Sequence, residues 1–211
     1  MIPARGLYAI VDTVTAGRHG LGVIELARAI LAGRPAVIQL RAKDLPARET
    51  LDLLRALVPL ARAAGVPLFA NDRADLAVLA GCDGVHVGQS DLPVSAVREM
   101  APGLAVGVST HDLAQLAAAT QHAPDYVAYG PVFTTTSKEN PDPVVGLAGL
   151  SAARALTSLP LVAIGGIDLA RAPEIGRCGA LGAVIGALLP PAPGGADDVT
   201  SRVVALSAAL R

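Results

Sequence analysis

The chain has 211 residues, 52% apolar, 17% charged and 2% aromatic, with a net charge of −1 from 17 basic and 18 acidic side chains. That length predicts one domain over 1–211 with a sizeable core, and the absence of a long basic run or an aromatic-rich surface stretch leaves nucleic-acid binding unsupported. No apolar stretch reaches the roughly 18 residues of a membrane span, the first residues lack a signal peptide's apolar core, and Cys82 and Cys178 lack metal-ligand spacing, all of which suits a reducing, cytoplasmic compartment.

Short apolar runs recur with helical patterns between them. The first run is 7–11, followed by Val23, Ile24, Ala27, Ile30 and Leu31 at helical spacing. The second is 36–40, and a helix marked by Leu51, Leu54, Val58 and Ala61 follows, bent or ended near Pro59. Runs at 67–70 and 84–87 are separated by a short helix over 73–80. A helix over 94–100 precedes the fifth run, 105–108, and a helix over 113–120 precedes the sixth, 126–129. A helix over 147–156 leads to 161–164, and another over 170–177 leads to 183–185. A Pro/Gly loop and a helix near 199–210 close the chain. The runs are continuously apolar rather than alternating, as in a parallel sheet covered by helices. Eight strand–helix units in this length predict a compact (β/α)₈ TIM barrel. A doubly wound open sheet is the alternative, and it leaves the last two units unplaced.

Such a barrel carries its chemistry beyond the C-terminal ends of the strands. Polar residues collect there. Strand two ends in Gln39, Arg41 and Lys43, strand three in Asn71, Asp72 and Arg73, and strand four is followed by Gly88, Gln89 and Asp91. Strand five ends in Ser109 and His111, and strand six opens through Gly130-Pro131 onto Thr134, Thr135, Thr136, Ser137 and Lys138. Strands seven and eight end in Gly165-Gly166 and Ile185-Gly186.

Arg41, Lys43 and Lys138 converge on one mouth and suit an anion such as pyrophosphate. The alternative is a set of salt bridges to Asp44 or Asp72. Asp72 and Asp91, from adjacent strand ends, can hold one Mg²⁺ that completes its shell with water and phosphate oxygens, or they cap the helices that follow them. The glycine turns after strands seven and eight offer backbone N–H groups to a phosphate, and they also fit tight turns with positive φ. Ser109 and His111 do not form a triad, and Asp112 reads as a helix-start residue. His86, inside strand four, reads as a satisfied core histidine. Two anion sites on one rim imply two phosphorylated substrates, or one with phosphates at both ends.

Six ordered stretches carry a resemblance: Gln39-Leu-Arg-Ala-Lys43, Asn71-Asp-Arg-Ala-Asp-Leu76, Asp83-Gly-Val-His-Val-Gly-Gln-Ser-Asp91, Gly107-Val-Ser-Thr-His111, Gly130-Pro-Val-Phe-Thr-Thr-Thr-Ser-Lys138 and Ala163-Ile-Gly-Gly-Ile167. Nearly end to end, the chain resembles the thiamine phosphate synthase (thiamine-phosphate pyrophosphorylase) family. The resemblance implies condensation of 4-amino-5-hydroxymethyl-2-methylpyrimidine diphosphate with 4-methyl-5-(2-phosphoethyl)thiazole, giving thiamine phosphate and pyrophosphate. It implies Mg²⁺ on Asp72 and Asp91. It places Gln39, Arg41, Lys43, Asn71, Ser109 and Lys138 on the pyrimidine diphosphate, with Ser109 and Lys138 in the catalytic step. Thr135, Ser137, Gly166, Ile185 and Gly186 surround the thiazole phosphate.

Three residues depart from the family pattern: Ser137 for Thr, Thr134 for Pro, and Gly186 for Ser. The segment 139–145 is expected to close over the site. A thiazole tautomerase using His111, or a non-catalytic thiazole-phosphate-binding regulator on the same barrel, is the competing reading. The partners expected are small phosphorylated molecules, and a homo-oligomer is compatible with them.

Overall fold

The computed structural model describes residues 2–135, 142–189 and 195–211. Eight parallel strands close in sequence order, β1 to β8, and β1 pairs with β8. The strands are β1 Gly6–Asp12, β2 Val37–Arg41, β3 Leu68–Asn71, β4 Gly84–Val87, β5 Ala105–Thr110, β6 Tyr126–Tyr129, β7 Leu161–Ile164 and β8 Leu181–Val184. Around them lie α1 Thr13–Arg18, α2 Val23–Ala32, α3 Ala47–Ala64, α4 Ala74–Ala80, α5 Val94–Met100, α6 Leu113–Thr120, α7 Gly146–Leu156, α8 Ala172–Arg177 and α9 Ala196–Ala209. A 3₁₀ turn, Gly186–Leu188, follows β8. This is the TIM barrel expected from the apolar runs.

Alternation along the strands sorts the apolar residues into two cores. Leu7, Ala9 and Val11 of β1, with Ile38 and Leu40 of β2, face the helices. Tyr8, Ile10, Val37, Phe69, Tyr126 and Leu181 fill the barrel itself. Both faces are therefore apolar, which is why the runs show no period of two.

The composition suggests a core of small and branched side chains, yet three of the five aromatics occupy the barrel centre. Tyr8, Phe69 and Tyr126 pack with ring centroids 5.7 to 6.3 Å apart. Two inward glycines make room for them. A Cβ on Gly84 would lie 2.1 Å from the Phe69 ring, and one on Gly107 would lie 1.9 Å from the Tyr126 ring.

Several boundaries differ from the sequence reading. β8 begins at Leu181, two residues earlier than expected, because Gly182 is a strand residue against which Leu210, the residue that follows α9, packs. β5 runs to Thr110, so Ser109 belongs to the strand rather than to the loop after it. α3 continues through Pro59 to Ala64 and ends at Gly65 in the left-handed conformation. α1 was not foreseen; Asp12 caps it by accepting a bond from the Thr15 amide. No helix among the described residues is long and apolar enough to cross a membrane.

Candidate active site

The mouth of the barrel is built first by β1 and β2. Asp12 and Arg41 are register partners on these strands, and both point inward at the C-terminal end. Arg41 Nη1 donates to Asp12 Oδ2 at 2.5 Å. Asp12 Oδ1 meanwhile accepts from the Thr15 amide (2.8 Å) and from Thr15 Oγ1 (2.6 Å). Asp12 is 4% exposed, so it can stay charged there only with such partners. From sequence, Arg41 is expected to face an anion, or else to pair with Asp44 or Asp72. It is paired, but to Asp12, while Asp44 accepts a bond from the Thr13 hydroxyl.

The next sector joins β2, β3 and β4. Gln39, nearly fully buried, donates through Nε2 to Asn71 Oδ1 at 2.8 Å. Lys43 Nζ lies 3.0 Å from Asp72 Oδ2. Asp72 has φ +62°, the left-handed region that Asp tolerates better than most residues, and its amide donates to the His86 carbonyl at 2.7 Å. Asp72 does not cap α4, whose cap residue is Arg73. Nor does Asp91 cap α5; its Oδ2 accepts from the Gly88 amide at 2.7 Å within its own loop. The two carboxylates face one another. Burial pushes the Asp72 carboxyl above the usual range, Lys43 beside it pulls it back, and the nearby Asp91 charge raises it further. A pair of hard oxygen donors held in mutual repulsion fits a divalent cation such as Mg²⁺, which would relieve both. Among the described residues no third His, Cys, Asp or Glu joins them, so water and ligand oxygens would complete such a shell.

Between β4, β5 and β6 runs a hydrogen-bonded line. Ser109 Oγ lies 2.8 Å from His86 Nε2, His86 Nδ1 lies 2.8 Å from Tyr126 Oη, and Tyr126 Oη lies 2.8 Å from Tyr8 Oη. The imidazole stacks on Tyr126 with centroids 5.5 Å apart. His86 is pushed down to about 4, chiefly by burial, with Asp91 opposing and His111 and Lys43 adding to the shift. It is the satisfied core histidine that its strand position predicts, and it also holds Ser109. Burial raises both tyrosines. His111 donates through Nδ1 to the Gly130 carbonyl at 2.8 Å and lies 3.4 Å from Asp142. Asp112 caps α6, as expected, by accepting from the Gln115 amide at 2.7 Å.

The remaining rim belongs to β6, β7 and β8. The chain after β6 docks along the end of β7: the Val132 amide donates to Ile164 and the Phe133 amide to Gly165. Gly165 (φ +101°) and Gly166 (φ +62°) serve that close approach. A Cβ on Gly165 would lie 2.5 Å from Pro131, and one on Gly166 would lie 2.4 Å from the Thr134 carbonyl. Arg171 braces the turn, donating to the Gly166 carbonyl at 2.7 Å and covering the Phe133 ring at 4.8 Å. Ile185 and Gly186 open the 3₁₀ turn after β8. Among the described residues a Cβ on Gly186 would meet nothing within 4 Å, which leaves room there for the serine expected from the family resemblance. Thr135 stands at the edge of the described chain. Ser137, Lys138 and the segment 139–141 lie outside the described residues.

The fold thus gathers Gln39, Arg41, Lys43, Asn71, Asp72, Asp91 and Ser109 on one side of a single rim, with Gly166, Ile185 and Gly186 on the other. It adds residues the sequence reading passed over: Asp12, Tyr8 and Tyr126. A clue to Asp12 was available, since an acidic residue ends the first strand in the same phase as Arg41 ends the second. An apolar groove of about 460 Å³ between α2 and α3, lined by Ile24, Leu45 and Leu53 among others, lies outside this rim and carries none of these groups.

Comparison with known proteins places the chain in a family. The sequence model described as thiamine monophosphate synthase matches residues 7–188. The chain is 41% identical over 204 residues to the thiamine-phosphate synthase of Chloroflexus aurantiacus, covering 96% of this chain and 91% of that one. It is 44% identical over 203 residues to the thiamine-phosphate synthase of Laribacter hongkongensis, covering 95% and 94%. Among solved structures, the thiamine phosphate pyrophosphorylase from Pyrococcus furiosus superposes with a TM-score of 0.85 at 32% identity, over 98% of this chain and 95% of that one. With a family match over most of its length and relatives above two-fifths identity end to end, the chain belongs to the thiamine monophosphate synthase family.

Proposed function

We propose that the protein makes thiamine phosphate by joining 4-amino-5-hydroxymethyl-2-methylpyrimidine diphosphate to 4-methyl-5-(2-phosphoethyl)thiazole, with release of pyrophosphate. The observation that carries this reading is the Lys43–Asp72–Asp91 group set beside Gln39–Asn71 and Ser109 at one mouth. A cation beside a repelling carboxylate pair is an arrangement for a diphosphate and its metal. A tautomerase acting on a monophosphate would leave it idle.

In the reaction the C–O bond between the pyrimidine methylene and the diphosphate breaks, and its electron pair leaves with pyrophosphate. The thiazole nitrogen donates its lone pair to form the new C–N bond. No proton has to move and no covalent nucleophile is needed, in keeping with a rim whose described residues form no Ser/His/Asp triad. Bound Mg²⁺, held by Asp72 and Asp91, would neutralise charge on the leaving group. Lys43 and Arg41 add positive charge on the same side. Gln39 and Asn71, locked to each other, present amide groups that orient the pyrimidine. Ser109, held by His86, contributes a hydroxyl, and Lys138 is assigned to the diphosphate by family resemblance. Thr135, Ser137 and the backbone at Gly166, Ile185 and Gly186 receive the thiazole phosphate, so that nitrogen and methylene meet across the mouth.

The test is incubation of the protein with both heterocycles and Mg²⁺, following thiamine phosphate and pyrophosphate together. Equimolar formation of both, reduced at least a hundredfold in Asp91→Asn, is the expected result. Turnover that is indifferent to Asp91→Asn, or absence of product in the folded parent protein, would overturn the proposal.

A further inference from the structure

The line Tyr8–Tyr126–His86–Ser109 has two unlike ends. Tyr8 lies in the barrel centre, 2% exposed, among Ile10, Val37, Phe69 and Leu181. Among the described residues its hydroxyl has one hydrogen-bond partner, Tyr126 Oη at 2.8 Å. Ser109 stands at the mouth, half-buried, where solvent or a ligand can complete its bonding. Each inner member has two partners along the line: Tyr126 bonds to Tyr8 and His86, and His86 to Tyr126 and Ser109. Protons can therefore be ordered along it in only two consistent ways.

In one order every proton points toward the mouth. Tyr8 donates to Tyr126, Tyr126 donates to His86 Nδ1, His86 Nε2–H donates to Ser109, and the Ser109 proton is left for the mouth. In the other order every proton points inward. Ser109 then donates to Nε2, Nδ1–H donates to Tyr126, Tyr126 donates to Tyr8, and the Tyr8 proton faces apolar side chains. A hydroxyl has one proton and two lone pairs. With a single partner, the order that uses the proton leaves only lone pairs unfilled, whereas the reverse strands a buried donor. The closed end of the line thus sets the direction for all of it, and each bond polarises the next in the same sense.

We infer that His86 is held as the Nε2–H tautomer and that Ser109 consequently presents its proton, with only one remaining lone pair, to the substrate. This rests on the reading of Ser109 as a substrate-facing residue in the proposed function and deepens it. Tyr8, Tyr126 and His86 become positioning residues for that hydroxyl. The group on the substrate that Ser109 serves is an acceptor, either a phosphate oxygen or a ring nitrogen, since the bond the line prepares is a donation outward.

The direction is open to measurement without substrate. Long-range ¹H–¹⁵N correlation spectra of the ¹⁵N-labelled protein at neutral pH report which ring nitrogen of each histidine carries the proton. The His86 signals are identified by their loss in His86→Gln. Should that variant not fold, Tyr126→Phe identifies them, because it moves the Nδ1 signal that loses its partner. The expected result is a protonated Nε2, with the unprotonated nitrogen as the one that Tyr126→Phe shifts. A protonated Nδ1, or signals averaged between tautomers, would overturn the inference. The two proposals fail separately: an Nε2–H ring in a protein that forms no thiamine phosphate would sink the functional reading alone, and an Nδ1–H ring in an active protein would sink only this one.

Discussion

Replacing Asp12 by Asn tests how the mouth is held together. The carboxamide oxygen can still cap α1, because Asn is as good a cap as Asp. What is lost is the charge 2.5 Å from Arg41 Nη1. Removing one member of a buried ion pair costs about 3–5 kcal/mol. The Arg41 side chain keeps 24% of its exposure and can recover part of its hydration, so the expected cost is about 2–3 kcal/mol. Asp12→Ala loses the cap as well, about 1 kcal/mol more. Arg41→Gln strands the less exposed partner, whose side chain is 5% exposed, and is expected at about 3–4 kcal/mol. The double variant Asp12→Asn/Arg41→Gln should be less destabilised than the sum of the singles by about 2 kcal/mol, since neither charge is then left alone. Urea unfolding of the four proteins at neutral pH measures this, provided the slopes agree. Additive costs, within about 0.5 kcal/mol, would refute the reasoning and reduce the contact to proximity.

Three further outcomes are expected. Unfolded His86 takes up its proton near 6.5, whereas in the folded protein it does so only near about 4. The unfolded state therefore binds more protons in that window, and its share of the stability, about 3 kcal/mol, is present above it and lost as pH falls through it. Urea midpoints compared with His86→Gln from pH 7 down to pH 4 (roughly that window) should converge, and parallel curves would contradict the burial argument. Gly107→Ala places a methyl 1.9 Å from the Tyr126 ring, whose hydroxyl is held by two hydrogen bonds, and should cost about 3 kcal/mol, at the upper end of overpacking penalties; a thermal midpoint unchanged from the parent would exclude that clash. Gly186→Ser puts a hydroxyl into open space at the opening of the turn after β8, so stability should hold to about 0.5 kcal/mol while KM for the thiazole phosphate falls about fivefold, roughly 1 kcal/mol for one added hydrogen bond. An unchanged KM would place that phosphate elsewhere.

The barrel was legible because eight runs buried on both faces leave continuous apolar stretches that a period of two would have broken. The start of β8 was not, because Gly182 reads as a breaker in isolation; only the Leu210 side chain packed over it makes glycine the fitting residue there. The rim was legible from polar residues at strand ends, and Gln39, Asn71, Asp72 and Asp91 do meet there. Their pairing was not. Whether Arg41 faces Asp12, Asp44 or Asp72 depends on strand register, and Asp12 is its neighbour only because β1 and β2 align 12 with 41. From sequence alone Ser109 falls outside the apolar run 105–108, because the polar Ser-Thr-His stretch ends that run at Val108. Its attachment to His86 needs both side chains to point inward from adjacent strands, information carried by the sheet rather than by either segment.

The glycines beneath the aromatic rings have an evolutionary consequence. Gly84 with Phe69, and Gly107 with Tyr126, each behave as one unit of volume shared between neighbouring strands. Enlarging the glycine alone produces a clash, and trimming the ring alone leaves a void beside it. Related barrels can therefore drift at these places only by compensated steps, in which bulk lost on one strand is regained on the next. Sequences compared at positions 69, 84, 107 and 126 should vary in pairs.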